Sequence, residues 1–204
     1  MPGTVFKFDS LGIGKLLQQG RLQVPTNQRS YAWREKHVRA LLTDLNEAIS
    51  KGSSSEYFLG TIVLIQRAAE TPSIVDGQQR LATTTILLAR IRDELLHLNR
   101  ENSARSIEDS FLSNIDRRTE KQVPKVSLNL EDNDYFVTMV LPPDANPKDQ
   151  PLKRSNRRLL LASRIAREII SDLLKHLSPD ARFDLLQKWV DFIEHNTTVL
   201  AITV

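Results

Sequence analysis

The sequence SIVDGQQRL, residues 73–81, joins a short apolar strand to the start of a long helical segment. Ser73–Val75 has β-branched residues typical of a strand, and Asp76-Gly77 is a common turn pair. From Gln78 to about Asn99 the apolar residues recur on one helical face, which further leucines and isoleucines widen. The sequence therefore predicts a strand, a turn and a central helix, with the rest of the fold arranged around this junction.

A junction of this kind is a candidate anion site, because free backbone N–H groups and the positive end of a helix dipole meet there. Gly77 lets the backbone approach a phosphate closely, and Arg80 can add a bidentate guanidinium contact. Asp76 would repel phosphates unless a cation lay between them, so this interpretation includes Mg²⁺ with Asp76 as its ligand. Gln78 and Gln79 could orient a water or read a base or sugar edge. An alternative stays open, in which Asp76 is an ordinary helix N-cap and forms an ion pair with Arg80.

A loop containing two aromatic residues is predicted upstream, at Thr26–Trp33, because Pro25 ends the preceding extended segment. Loops held by rigid neighbours often carry binding groups, and Arg29 could complete a phosphate clamp. In the alternative interpretation Tyr31 and Trp33 plug the edge of the core, and Arg29 is solvated.

The elements around the junction predict an α+β fold. Strands are predicted at Tyr57–Ile65, 126–130 and 197–204, and helices at 10–19, 35–50, 103–114, 132–141, 153–177 and from Pro179 onward. The strand at Tyr57–Ile65 forms a hairpin with Ser73–Val75, and Gly60 within it indicates a bulge or a close approach by another group. Because a domain rarely ends on an unpaired apolar strand, we expect the chain to continue beyond Val204.

Composition excludes several classes of protein. The chain has 204 residues, 40% of them hydrophobic, which is enough for a sizeable core. It has no cysteine, so disulfides, zinc–thiolate sites and cysteine nucleophiles are excluded, and its four histidines are too dispersed for a metal hydrolase. No apolar run approaches the roughly 20 residues of a membrane span and no signal peptide is present, which predicts a cytoplasmic protein. The net charge of +3 does not by itself indicate a nucleic-acid binder.

Three blocks in a fixed order carry a resemblance to a known family: Val24–Trp33, Tyr57–Leu64 and Ile74–Leu81. Together they resemble the Asp-Gly-Gln-Gln-Arg family, which is related to the ParB and sulfiredoxin fold. That family supplies the N-terminal domain of GmrSD-type modification-dependent restriction endonucleases and of phosphorothioation-sensing antiphage nucleases. The resemblance is strong over the first half of the chain. It implies a small ParB/sulfiredoxin-like mixed sheet with packed helices, followed by a mostly helical second half.

The resemblance also implies a function: binding and hydrolysis of a nucleoside triphosphate (NTP), which regulates a DNA-cleaving partner in antiviral defence. The implied catalytic residues are Asp76, Gln79 and Arg80, with Mg²⁺ held by Asp76. The implied nucleotide-binding residues are Gln28, Arg29, Gly77, Gln78 and Arg80. Residues 1–100 would form the ParB-like nucleotide-binding core, and residues 101–204 a helical subdomain that continues beyond the chain. The implied partners are DNA, which would carry a modification, and an HNH-type nuclease domain or subunit.

Two departures from the family pattern concern the site. The family often has proline where Ser30 stands and threonine where Ala82 stands. Neither change removes a charge, but the first leaves the rigidity of the loop open.

The second hypothesis is a ParB-like DNA-binding module without catalytic activity. Its support is the basic start of the late helix, where four cations could follow phosphates: Lys153, Arg154, Arg157 and Arg158. A solvated helix face explains the same four residues. A sulfiredoxin-like transfer to an oxidised thiol is disfavoured because the chain has no cysteine, and a homodimer remains an open alternative.

Overall fold

The computed structural model describes residues 7–52, 56–67, 70–145, 147 and 151–203, apart from the side chains of residues 7 and 8. Eight strands are described: β1 Lys7–Gly12, β2 Leu22–Gln23, β3 Tyr57–Ile65, β4 Ser73–Asp76, β5 Ser113–Ile115, β6 Gln122–Pro124, β7 Val126–Ser127 and β8 Thr197–Thr203. The α-helices are α1 Ile13–Gln18, α2 Glu35–Ser50, α3 Gln78–His97, α4 Glu101–Ile107, α5 Asn133–Tyr135, α6 Arg154–Leu174 and α7 Pro179–Asp191. Three π-helical turns extend α4, α5 and α7, at Glu108–Leu112, Phe136–Val140 and Phe192–Asn196.

A mixed six-stranded sheet organises the molecule, with the strand order β1-β8-β3-β4-β2-β7. Strand β8 pairs antiparallel with β1 and parallel with β3, while β3 and β4 form the predicted antiparallel hairpin. Strands β5 and β6 make a separate hairpin. The α+β class with a small mixed sheet is confirmed, whereas the relation to ParB and sulfiredoxin stays a prediction.

The expectation of an unpaired apolar strand at the end of the chain is wrong. Strand β8 lies inside the sheet, where Val199 and Ala201 are buried. Strand β7 also comes from the second half of the sequence and extends the sheet beyond β2. The division of the chain at residue 100 stays a prediction, although both halves contribute strands to this one sheet.

Helix α3 is the central helix, as predicted, and it is buried almost all round because it contacts α4, α6 and α7. Its buried charges are paired with one another. Asp93 Oδ2 lies 3.2 Å from Arg90 Nη2, and Asp93 Oδ1 lies 2.7 Å from Arg92 Nη2. Such pairing is what allows ionised groups into a core, since an isolated buried charge is very costly.

Some element boundaries differ from the sequence predictions. The first helix begins at Ile13 instead of residue 10, because Ser10–Gly12 pair with β8. The helix predicted over 103–114 ends in a π-helical turn, and Ser113 already belongs to β5. The helix predicted over 132–141 is only α5 and its π-helical turn, and the one predicted over 153–177 is α6. The sequence also predicts a strand-like or loose segment over Met1–Asp9; residues 1–6 lie outside the described residues, and β1 begins at Lys7.

Candidate nucleotide site

The junction between β4 and α3 requires a glycine at position 77. Gly77 has a φ of +86°, in the left-handed region, and a Cβ there would lie 2.9 Å from both Ile62 Cγ1 and the Thr61 carbonyl oxygen. The first intrahelical bond of α3 runs from Leu81 N to Gly77 O, at 3.1 Å. The backbone N–H groups of residues 78–80 come before that bond, so they lack acceptors within the helix.

The helix-cap alternative for Asp76 is wrong. Gly77, and not Asp76, occupies the N-cap position of α3, and no side chain accepts a capping hydrogen bond there. Asp76 is the last residue of β4, opposite Val63, and its side chain is exposed. A carboxylate therefore stands in solvent beside the start of α3.

Arg80 lies against the backbone of β3. A Cβ placed on Gly60 would be 3.1 Å from Arg80 Cζ, and Gly60 has a φ of +117° where the pairing of β3 with β8 shifts register. Both sequence expectations for Gly60, a bulge and a close approach, are confirmed. The charge of Arg80 also reaches Tyr57: burial and the nearby Asp44 raise the pKa of this phenol, and Arg80 opposes that rise.

Gln78 and Gln79 bind the aromatic loop through its backbone. Gln79 is 4% exposed, and its Oε1 accepts hydrogen bonds from Ala32 N at 2.7 Å and Trp33 N at 3.2 Å. Gln79 Nε2 donates to Ser30 O at 3.5 Å. Gln78 Nε2 donates to Arg29 O at 3.2 Å. The two glutamines thus hold the predicted loop over the start of α3.

A turn at residues 129–132 holds the other side of the loop. Asp132 Oδ2 accepts from Tyr31 N at 2.6 Å, and Asn129 Nδ2 donates to Gln28 O at 2.9 Å. Ser30 Oγ donates to Glu131 Oε2 at 2.8 Å. Where the family often has proline, Ser30 therefore fastens the loop by a side-chain hydrogen bond.

The sequence reasoning missed this support. Asp132 was expected only as the first residue of the helix predicted over 132–141, whereas its side chain binds a loop about a hundred residues away in sequence. The available signal was the density of turn-forming residues in NLEDN, residues 129–133, which the predicted strand at 126–130 and the predicted helix at 132–141 divide between them.

Tyr31 is buried, as the core-edge interpretation expected, and its hydroxyl lies 2.8 Å from Thr83 Oγ1 on α3. Burial raises the pKa of this phenol well above its usual range. Trp33 packs on the core while remaining half-buried. The aromatic residues thus anchor the loop on the core, while the glutamine side chains bind its backbone.

The structure brings part of the predicted site together. Arg29, Gln78, Gln79 and Asp132 line a cavity of about 10 Å³, enough for roughly one water. Asp132 Oδ1 is buried and has no hydrogen-bond partner among the described residues. The Arg29 side chain is exposed, and Gln28 takes part through its backbone carbonyl. Arg80 lies apart from this cavity, against Gly60.

The basic start of α6 lies next to the turn that supports the loop. Lys153 Nζ donates to Glu131 O at 3.3 Å, and Arg154 and Arg157 are exposed. The pKa of Arg158 is lowered, first by burial and then by the positive charges of Arg154 and Arg34. Arg34, at the end of the aromatic loop, therefore adds to this positive region, although the sequence reasoning did not include it.

Mg²⁺ at the junction would use few protein ligands. In the described part of the chain no group of three or more His, Cys, Asp or Glu residues could hold a metal ion. Mg²⁺ is often bound by one or two carboxylates, with waters and substrate phosphates completing its shell. The exposed carboxylate of Asp76 fits that mode of binding.

Over the described residues, no helix combines the length and the apolar character needed to cross a membrane.

The comparison with curated proteins gave no match. The comparison with protein families gave one, the family described as "GmrSD restriction endonuclease, N-terminal domain", which matches residues 13–204. This match covers the junction, the aromatic loop, the supporting turn and α6. The chain therefore belongs to the family of the GmrSD restriction endonuclease N-terminal domain.

Proposed function

We propose that this chain binds and hydrolyses an NTP at the start of α3, and that it thereby regulates DNA cleavage by a restriction nuclease. Membership of a restriction endonuclease family supports the nuclease context. The observation that carries the nucleotide assignment is the geometry of the junction, where Gly77 brings the helix start against β3 beside an exposed Asp76.

In this proposal the phosphates lie at the N–H groups of residues 78–80, which the helix leaves without acceptors. Arg80 contributes its guanidinium from the helix side, and Arg29 contributes one from the loop. Asp76 holds Mg²⁺, which neutralises charge on the phosphate oxygens when bound.

Gln78 and Gln79 take a positioning role. Their amides already bind the backbone of the loop, so they act by placing Arg29 and by closing the loop over the helix start. Holding groups in place in this way is a major part of how phosphoryl transfer is catalysed.

The test is phosphate release from each of the four NTPs with Mg²⁺. We expect release by the wild-type protein and a loss of about 100-fold or more in Asp76→Ala and Arg80→Ala. Asp172→Ala and Arg164→Ala, at exposed positions on α6, are the matched controls and should behave as wild type. Equal release from the wild type and both junction variants would overturn the catalytic assignment, and calorimetric titration of the four NTPs would identify the base.

A second candidate function, a DNA-binding module without catalysis, is favoured by the exposed cations at the start of α6, Lys153, Arg154 and Arg157. Such a surface would bind phosphates of any sequence, with an affinity that falls steeply with salt. Salt-dependent DNA binding without phosphate release would favour this function. A cytoplasmic location, an HNH-type partner and a homodimer stay predictions.

A further inference from the structure

A second, larger cavity lies between α3, α4 and the β5–β6 hairpin. Its volume is about 640 Å³, within the range of about 300–1,000 Å³ that is usual for small-molecule sites. None of its lining residues belongs to the candidate nucleotide site or to the basic start of α6. Neither NTP hydrolysis at the start of α3 nor DNA binding by the start of α6 therefore uses this cavity.

One end of the cavity is a fixed polar cluster centred on Glu108. Glu108 Oε2 accepts from Arg92 Nη1 at 2.6 Å, and Oε1 accepts from Ser113 Oγ at 2.5 Å and Gln122 Nε2 at 2.8 Å. Arg92 is itself buried and held by Asp93, so the guanidinium cannot swing away. The Glu108 carboxylate and the Gln122 amide are thus held in place in the lining of the cavity.

Half of the lining residues are apolar. They come from four different segments and include Leu96, Leu112, Pro124, Val137 and Pro142, and polar or charged residues line the cavity beside them, among them Glu101, Asn102, Arg105 and Asp109. Glu108 and Leu112 belong to one π-helical turn and Val137 to another. Such turns are rare and occur frequently at functional sites. Apolar surface beside fixed hydrogen-bonding groups suits a flat heterocycle that carries amino or imino donors, as nucleobases do.

The β5–β6 hairpin places an apolar side chain at the rim of this cavity. Ser113 pairs with Pro124 and Ile115 pairs with Gln122, so these four residues share one face of the hairpin. Three of them line the cavity, and the fourth, Ile115, is 71% exposed. An exposed isoleucine beside a base-sized cavity has the position of a wedge that enters a base stack.

The tip of the same hairpin carries positive charge. Arg117, Arg118 and Lys121 are exposed. Asp116 Oδ1 accepts from the backbone N–H groups of residues 118 and 119, both at 2.9 Å, so the tip has a defined conformation. A basic, ordered tip next to the wedge could hold the phosphates that flank an extruded base.

We propose that this cavity binds a nucleobase extruded from DNA, that Ile115 fills the gap left in the stack, and that the hairpin tip contacts the flanking phosphates. The proposal rests on the proposed function only in taking DNA as the partner. Glu108 and Gln122 read the edge of the base, and the apolar walls enclose its faces. The same cavity would also bind a free nucleoside, and separate titrations with duplexes and with nucleosides distinguish the two ligands.

The test compares two short DNA duplexes that are identical except that one carries a single unpaired 2-aminopurine. An unpaired base costs less to extrude because no base pair has to be broken, so we expect this duplex to bind about tenfold tighter or more, with a change in 2-aminopurine fluorescence as the base leaves the stack. Ile115→Ser and Gln122→Leu should reduce this preference to near one. Leu130→Ser, at a position 78% exposed, is the matched control and should keep the preference.

Calorimetric titration of the four nucleosides forms the second arm. Nucleoside binding that Gln122→Leu abolishes, without any preference for the unpaired duplex, would support base recognition by the cavity and overturn the DNA source and the wedge. Absence of both signals in the wild type would overturn the whole inference. Since Ile115 is exposed, its variant should fold even if Gln122→Leu does not, and thermal unfolding checks both.

Phosphate release measured on the same preparations separates this inference from the proposed function. Phosphate release that depends on Asp76, without nucleoside binding or a preference for the unpaired duplex, would overturn the base site and leave NTP hydrolysis supported. A preference for the unpaired duplex in a wild-type protein that releases no phosphate would overturn NTP hydrolysis and leave the base site supported.

Discussion

Replacing Gln79 with leucine tests how the aromatic loop is held over the start of α3. Leucine has a similar length and suits a buried position, but it offers no acceptor to the N–H groups of Ala32 and Trp33. It also removes the donor to the Ser30 carbonyl, whose contact is long at 3.5 Å. The substitution therefore removes the polar link between helix and loop while changing the packing little.

The expected cost follows from the two short contacts. A neutral hydrogen bond contributes about 1 kcal/mol net, and a buried donor left without an acceptor costs about 1–3 kcal/mol. Because both N–H groups are only partly buried, we expect Gln79→Leu to lower the free energy of unfolding by about 2–4 kcal/mol. Gln79→Glu keeps an acceptor for both N–H groups, but it places a carboxyl group at a position only 4% exposed, where one oxygen faces the Ser30 carbonyl. Because burying a carboxyl group without a paired cation is costly, this variant should be destabilised by at least as much as Gln79→Leu.

Urea unfolding gives these values, and amide exchange at Ala32 and Trp33 reports whether the loop opens. Phosphate release on the same samples then separates two roles. A glutamine that only oriented a water would lose activity in Gln79→Leu with wild-type stability and wild-type exchange. A leucine variant as stable as the wild type, with unchanged exchange at both amides, would refute the positioning role.

Three further predictions concern other parts of the chain. Gly77→Ala should destabilise the protein by about 1–3 kcal/mol from backbone strain, and the clash of the new Cβ with β3 should add to this cost. Gly52 also has a positive φ, but the space around it is open, so Gly52→Ala should show the strain alone. Thermal unfolding of both variants measures the difference. Backbone N–H groups hold the pKa of Asp116 below its usual range, so its contribution to stability is present above about pH 4 and is lost as the pH falls further. The protection factors of the hairpin-tip amides, which correct for the slower intrinsic exchange in acid, should therefore fall as the pH falls, and Asp116→Asn should remove that dependence. Arg154→Ala should reduce the salt slope of DNA binding by about 1, while Lys175→Ala, at the other end of α6, should leave it unchanged.

Local pattern was enough to predict the elements that surround the junction. The bounds of α2 and β3 agree with the prediction, because an amphipathic stripe and an uncharged β-branched run are both strong signals. Helix α7 begins at Pro179, as predicted, and Ser178 is its N-cap, accepting from Ala181 N at 3.4 Å. In each case the residues that decide the structure lie within a few positions of one another.

Contacts between distant segments were beyond such reasoning. Asp132 and Tyr31 lie 101 residues apart, and nothing near either of them shows that a carboxylate will meet a backbone N–H. The pairing of β8 with β3 is likewise non-local, and a strand at the end of a sequence reads the same at an edge or in the centre of a sheet. The amides of Gln78 and Gln79 are equally ambiguous, since a side chain that can bind a nucleotide can also bind a peptide group.

The five residues Asp76–Arg80 have different environments in the structure, which give them different roles. Gly77 is fixed by its backbone, both glutamines are buried against the loop, and Arg80 is half-buried over Gly60. Asp76 is the one side chain of the five that stands exposed. A ligand at this junction would therefore meet Asp76, Arg80 and backbone N–H groups directly, and would sense the glutamines only through the loop that they hold. Stability measurements address the glutamines, whereas the distinction between hydrolysis and simple binding depends on Asp76.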